Sequence, residues 1–126
     1  MKVEVSNGEI VDKLTILWIK EEKITDEEKL LNVRNEISEL GPCLAKMDLT
    51  ETSDDVIRLH EVNLSLWDIE DKIREKENEK DFGEDFISLA RSVYIINDSR
   101  AKIKKQINIT TGSDLVEEKS YEEYSQ

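Results

Sequence analysis

The chain has 126 residues, 30 of them Asp or Glu against 18 Lys or Arg, for a formal charge of -12. That length closes one modest core, and an acidic field of this size repels phosphate backbones and anionic headgroups, which excludes nucleic acid and membrane surfaces as default partners. With 38% charged residues, 4 Gly and 1 Pro, but 37% apolar residues set at regular intervals, the composition favours helices over both sheet and disorder.

Four helices are predicted in chain order. The first starts after Ser6, where S-N-G-E reads as a capping box with Glu9 reaching back, and Ile10, Leu14, Leu17 and Ile24 share a face on which Glu21 fills the missing slot. Thr25 opens the second with Glu28 at the box position, and its seam of Leu30, Val33, Ile37 and Leu40 stops at Gly41-Pro42. Asp54 and Asp55 suit the start of a long third helix carrying Val56, Leu59, Val62, Leu66, Ile69 and Ile73. After "EKENEKDFG", a fourth helix from about 83 to 108 carries Phe86, Leu89, Val93, Ile96, Arg100, Ile103 and Ile107 at alternating steps of three and four. Its end, "RAKIKK", complements the negative end of the helix dipole. Beyond Gly112 the acidic tail is expected to fold back onto that basic end through charge and through Leu115, Val116, Tyr121 and Tyr124. "KVEV" at 2–5 and "INIT" at 107–110 alternate as a minor strand pair would.

The stretches "GEIVDKLTIL", "LWDIEDKIREKE", "NDSRAKIK" and "VEEKSY" together resemble an uncharacterised family of small bacterial and phage proteins. The resemblance implies that they belong to one compact unit; it implies no activity and no catalytic residues.

The arginine in the fourth seam is the strongest anomaly. Paired with Glu21 across the bundle, Arg100 would set helix register; alternatively Arg100, Asn97 and Lys104, with Lys13 or Lys20, would bind a phosphate or carboxylate through a guanidinium offering two parallel donors. A polar row His60, Asn63, Trp67, Glu70 and Arg74 runs beside the third seam, read either as a pocket wall or as an ordinary Glu70–Arg74 pair with Trp67 covering the core edge. A matching row, Tyr94, Asn97, Ala101, Lys104 and Asn108, lies beside Arg100. Glu36 and Glu39 followed by Glu51 and Asp54 mimic the spacing of helical magnesium pyrophosphohydrolases, but the second pair falls in a loop and cap. No metal site or cofactor is assigned, since one His and one Cys give no cluster and Cys43 has no disulfide partner in the chain. The opening decapeptide lacks the apolar core of a signal peptide, so a cytoplasmic location is expected.

These readings converge on an all-α antiparallel bundle: one domain over 1–126, with a long hairpin near 55–79 and 83–108, two shorter flanking helices and a docked tail from 113. The expected function is protein interaction or an accessory role, with a homodimer contact at Ile16 and Trp18. The alternative is a small helical enzyme or binding module for an anionic metabolite, using Arg100, Asn97, Lys104, Glu21, Trp67, Glu70 and Arg74.

Overall fold

The computed structural model describes residues 1–118 and consists of four long helices and one short one: α1 Asn7–Lys23, α2 Glu27–Leu40, α3 Pro42–Lys46, α4 Asp54–Asn78 and α5 Glu84–Thr111. Helices α4 and α5 form the expected hairpin, α1 lies against both of them, and α2 folds back along α1. The core joins Val11 and Leu14 of α1, Leu44 of α3, Val56 and Leu59 of α4, and Ile103 and Ile107 of α5. Every one of these lies at the proximal end of the hairpin. From residue 64 to residue 102 no side chain is fully buried, so the distal halves of α4 and α5 form a two-helix arm.

Four departures from the sequence reading have identifiable causes. Helix α1 is touched by α2, α4 and α5, so burial runs round it: Val11, Asp12, Thr15 and Ile19 are buried along with Leu14 and Leu17, while Ile10 and Ile24 are half-buried. The second helix is capped one residue later than expected, by Asp26, whose carboxylate accepts the Lys29 N–H at 3.0 Å. Gly41-Pro42 does end it, but Pro42 then serves as the first residue of the unforeseen α3. No strand occurs among the described residues. "INIT" continues α5, where the Thr110 and Thr111 hydroxyls donate back to the carbonyls of Gln106 and Ile107, and Val3 and Val5 of "KVEV" stand exposed.

Helices α3, α4 and α5 share one kind of ending. In each, a residue at positive φ (Asp48, Lys80, Gly112) turns the chain, and the next N–H reaches five residues back: Leu49 to Leu44, Asp81 to Lys76, Ser113 to Asn108. At the first of these Leu49 also packs against the core cluster that contains Leu44, which brings the chain back toward α4. At the second, Asp81 both accepts the Gly83 N–H and pairs with Lys76 at 3.3 Å, and these contacts hold its carboxyl below its ordinary value. The tail docks through polar contacts instead of its aliphatics: Leu115 and Val116 are exposed, whereas Lys105 holds Glu118 at 3.2 Å. Tyr121 and Tyr124 lie outside the described residues.

Since a left-handed conformation strains any residue carrying a Cβ by about 1–2 kcal/mol, Lys80→Gly should raise stability, and Gly112→Ala should lower it, each by on the order of 1 kcal/mol in urea denaturation. A destabilised Lys80→Gly variant would contradict this account of the hairpin turn.

Candidate functional site

The polar centre begins where α1 meets α5. Ser6 caps α1 by accepting the Glu9 N–H at 3.2 Å, as the motif predicts, but the Glu9 carboxylate does not close the box; it takes Lys104 at 2.7 Å instead. Two residues after Ser6, Gly8 donates its N–H to the Asn108 side-chain oxygen at 2.6 Å. A Cβ at Gly8 would stand 2.5 Å from the backbone oxygen of Lys104, so glycine is what lets the two helices come this close. Asn7 adds bonds to the Thr111 and Ser113 hydroxyl groups at 2.9 and 3.0 Å. The Ser6 hydroxyl donates to Glu117, which Asn108 also reaches at 3.3 Å. Partial burial penalises the charged form of the Glu117 carboxyl, but the Ser6 hydroxyl, its own N–H, Lys104 and Asn108 together hold its pKa below the ordinary glutamate value.

One turn further along α1, Asp12 is buried and is the partner of Arg100. The guanidinium meets the carboxylate side-on, Nε to Oδ1 at 2.9 Å and Nη2 to Oδ2, in the bidentate geometry that makes such pairs directional. Asn63 of α4 donates to Asp12 Oδ1 and to the Thr15 hydroxyl oxygen, both at 2.9 Å, and the Thr15 hydroxyl donates to the Asp12 carbonyl at 2.8 Å. Lys104 adds its charge 4.0 Å from Asp12. Four polar residues thus lock three helices together in the middle of the bundle. The expected partner of Arg100 is corrected by this: Glu21 lies exposed and pairs with Arg34 of α2 at 3.8 Å.

Just beyond this joint a groove of about 350 Å³ opens between the C-terminal half of α1 and the arm. Its apolar floor is Ile16, Ile19, Leu66 and Trp67, and its polar rim is Glu70, Asp71, Arg74, Asn97 and Arg100. Five of the seven site residues named from the sequence therefore meet at one place: Trp67, Glu70, Arg74, Asn97 and Arg100. Lys104 and Glu21 do not line it. Asn63, from the same α4 row, reaches the groove from behind, whereas His60 leaves the row. The edge of His60 meets the Trp18 ring at 5.8 Å, and its buried Nε2 has no hydrogen-bond partner among the described residues. Glu70 and Arg74 form no ion pair with each other among the described residues. Arg74 and Arg100 balance Glu70 and Asp71, so the rim carries no net charge.

The dimer contact foreseen at Ile16 and Trp18 is not an open surface. Ile16 lines the groove, and Trp18 is half-buried against the core cluster. The carboxylates with pyrophosphohydrolase spacing are scattered: Glu36 pairs with Lys13 of α1 at 3.8 Å, while Glu51 and Asp54 sit exposed at the turn into α4. Among the described residues no three His, Cys, Asp or Glu side chains are placed to hold a metal ion. No helix among the described residues is long and apolar enough to cross a membrane.

Fold and joint define a helical bundle with a projecting hairpin, organised round the pair of buried Asp12 and half-buried Arg100. The chain belongs to a family of unknown function, DUF6165, whose model matches residues 1–125. No curated protein and no solved structure matches it.

If the joint is what the geometry indicates, Arg100→Met should destabilise the protein by about 3–5 kcal/mol, because it strands a buried carboxylate. Asp12→Leu introduced with it should recover most of that loss, giving a coupling above about 1 kcal/mol in a denaturation cycle. Glu21→Leu should add to Arg100→Met without coupling. Additivity between positions 12 and 100 would show that the pair does not carry the joint.

Proposed function

We propose that the chain is a helical interaction protein of the cytoplasm, working by contact, with the α4–α5 arm as its docking element. One observation carries the reading. Thirty-nine consecutive residues, 64–102, contain no fully buried side chain, although Leu66, Ile69, Ile73, Phe86, Leu89, Val93 and Ile96 run along the arm at helical spacing. Two helices alone cannot enclose such a seam; bundles of this kind bury it with a third or fourth helix. In the single chain these seam residues realise only part of the hydrophobic gain that full burial would give them.

A second reading, a binding module for a small anionic metabolite, is favoured by the meeting of Trp67, Arg74, Asn97 and Arg100 at one groove. The volume suits a small ligand. Against it stand the balanced rim and the commitment of Arg100 to Asp12, which leave Arg74 as the cation best disposed to a ligand. Titration with inorganic phosphate and with citrate, followed by tryptophan fluorescence, tests it: saturable change abolished by Arg74→Gln supports the module, and a flat response removes it.

The interaction reading is tested by placing a photo-reactive amino acid at Ile95 on the arm or at Asn32 on the exposed side of α2, in cells that make the protein. Discrete adducts from position 95 and none from position 32 are expected. An arm that yields no adduct sinks the reading.

A further inference from the structure

The groove between α1 and the arm joins two chemistries. Its floor, Ile16 and Ile19 of α1 with Leu66 and Trp67 of α4, offers aliphatic and aromatic surface and no charge. Its rim sets opposite charges side by side. Trp67, Glu70, Asp71 and Arg74 follow at steps of three, one and three residues, so they share one flank of α4, and all four line the groove. Glu70 and Asp71 stand four and three residues before Arg74, where side chains on a helix are neighbours with Cβ atoms about 5–6 Å apart. All three are exposed, and none forms an ion pair among the described residues. Arg100, the other cation of the lining, has Nε and Nη2 on Asp12 and Nη1 3.5 Å from the Asn97 side-chain oxygen.

Each simpler ligand leaves part of this lining unmet. A phosphate or a dicarboxylate at Arg74 brings negative charge within a helical turn of Glu70 and Asp71, in a chain already at -12. An amine drawn to the two carboxylates meets Arg74 in the same way. An uncharged apolar molecule covers the floor and gains nothing from the rim. An α-amino acid with an apolar side chain meets every part. Its carboxylate and ammonium are carried on one carbon, as neighbours, like the rim charges that would receive them, and it adds no net charge to an acidic protein. Its side chain is left to lie on Trp67 and the aliphatics. The volume of about 350 Å³ falls at the small end of ligand pockets, roughly 300–1,000 Å³, which suits a ligand of this size.

We infer that the groove binds a free α-amino acid with an apolar side chain, its carboxylate on Arg74, its ammonium on Glu70 and Asp71, and its side chain on Trp67 and Leu66. The inference rests on the groove being a ligand site, as in the second reading above, with a zwitterion in place of the anion; the docking role of the arm has its own test.

Isothermal titration calorimetry on the full chain with L-leucine, L-methionine and L-phenylalanine should show saturable binding of at least one, and a far weaker response to glycine, which brings no side chain to the floor. Removing one charge from the bound amino acid, as in its N-acetyl or its amide derivative, should weaken binding at least about tenfold. Arg74→Gln should weaken it as much. Glu70→Gln combined with Asp71→Asn should abolish the preference for the free amino acid over its N-acetyl derivative, a change of specificity that loss of fold would not produce. Arg91→Gln, at an exposed residue of α5 outside the groove, should leave binding unchanged. Since all four substituted side chains are exposed, circular dichroism should show the same melting for every variant. The inference is overturned by a flat response to all three amino acids, by glycine or an N-acetyl derivative bound as tightly as the free apolar amino acid, or by binding that survives Arg74→Gln or is lost in Arg91→Gln. Parallel titrations with phosphate and citrate separate the two levels: an anion response abolished by Arg74→Gln, with no amino acid bound, overturns the zwitterion and leaves the groove an anion site, whereas silence from every probe removes both.

Discussion

The buried carboxylate of Asp12 is the constraint on which the remaining structure depends. A charge taken out of water needs both an opposite charge and hydrogen bonds to all its oxygen lone pairs, or it costs several kcal/mol. Asp12 gets its charge partner from α5 and its further donor from α4, so it is satisfied only when both helices sit in one register against α1. The apolar core beside it, Val11 and Leu14 against Val56, Leu59, Ile103 and Ile107, tolerates small slides of one helix along another. The bidentate pair does not, because its two parallel bonds fix distance and angle together. Packing supplies the attraction and the polar joint selects the arrangement.

The joint also explains the close contact at the N-terminal end of α1. With Arg100 fixed to Asp12, the antiparallel course of α1 and α5 carries Glu9 to Lys104 and Gly8 to Asn108. The first N–H groups of a helix have no partner within it. Here a side chain of the neighbouring helix takes one and Ser6 takes another, so the start of α1 is satisfied by the packing it creates. Glu117 completes the arrangement by accepting from Ser6 and Asn108, which ties the chain after Gly112 to the residue that opens the first helix.

How much of this was legible in the sequence follows from what each signal depends on. The hairpin was legible because α4 and α5 each carry a long apolar stripe, and the N-cap at Ser6 and the stop at Gly41-Pro42 are local chemistry. The partner of Arg100 is not, because a helix with a single buried face would point to the odd residue on that face, Glu21. Helix α1 is central, so its buried residues lie on several sides, and Asp12 sits between Val11 and Lys13 where a single-face pattern reads it as solvent. The signal that was available is the run "VDKLTI", in which Asp12 and Thr15 are spaced three apart among aliphatics. That spacing places two hydrogen-bonding side chains on a common flank, as a helix with two packed neighbours requires. Trp67, Glu70, Arg74 and Asn97 are legible as members of polar rows on α4 and α5, and Arg100 as the break in an apolar seam; Lys104 shares the row of Asn97 but is drawn to Glu9, and Glu21, the odd residue on one face of α1, is drawn to Arg34.

The joint and the arm belong to one design. A hairpin held at one end by a core and a directional ion pair behaves as a cantilever: its base is fixed in orientation, and its far half projects with a defined face. Aliphatic packing alone at the base would hold the arm by shape complementarity, which is less directional than two parallel hydrogen bonds. Arg100 lies at the boundary, binding Asp12 on the core side and lining the groove on the arm side. A leucine there would have extended the apolar seam without a break and left the angle between α1 and the arm to shape complementarity. The cation in the seam gives up some hydrophobic burial to fix that angle, and a fixed angle is what the docking role proposed for the arm would need.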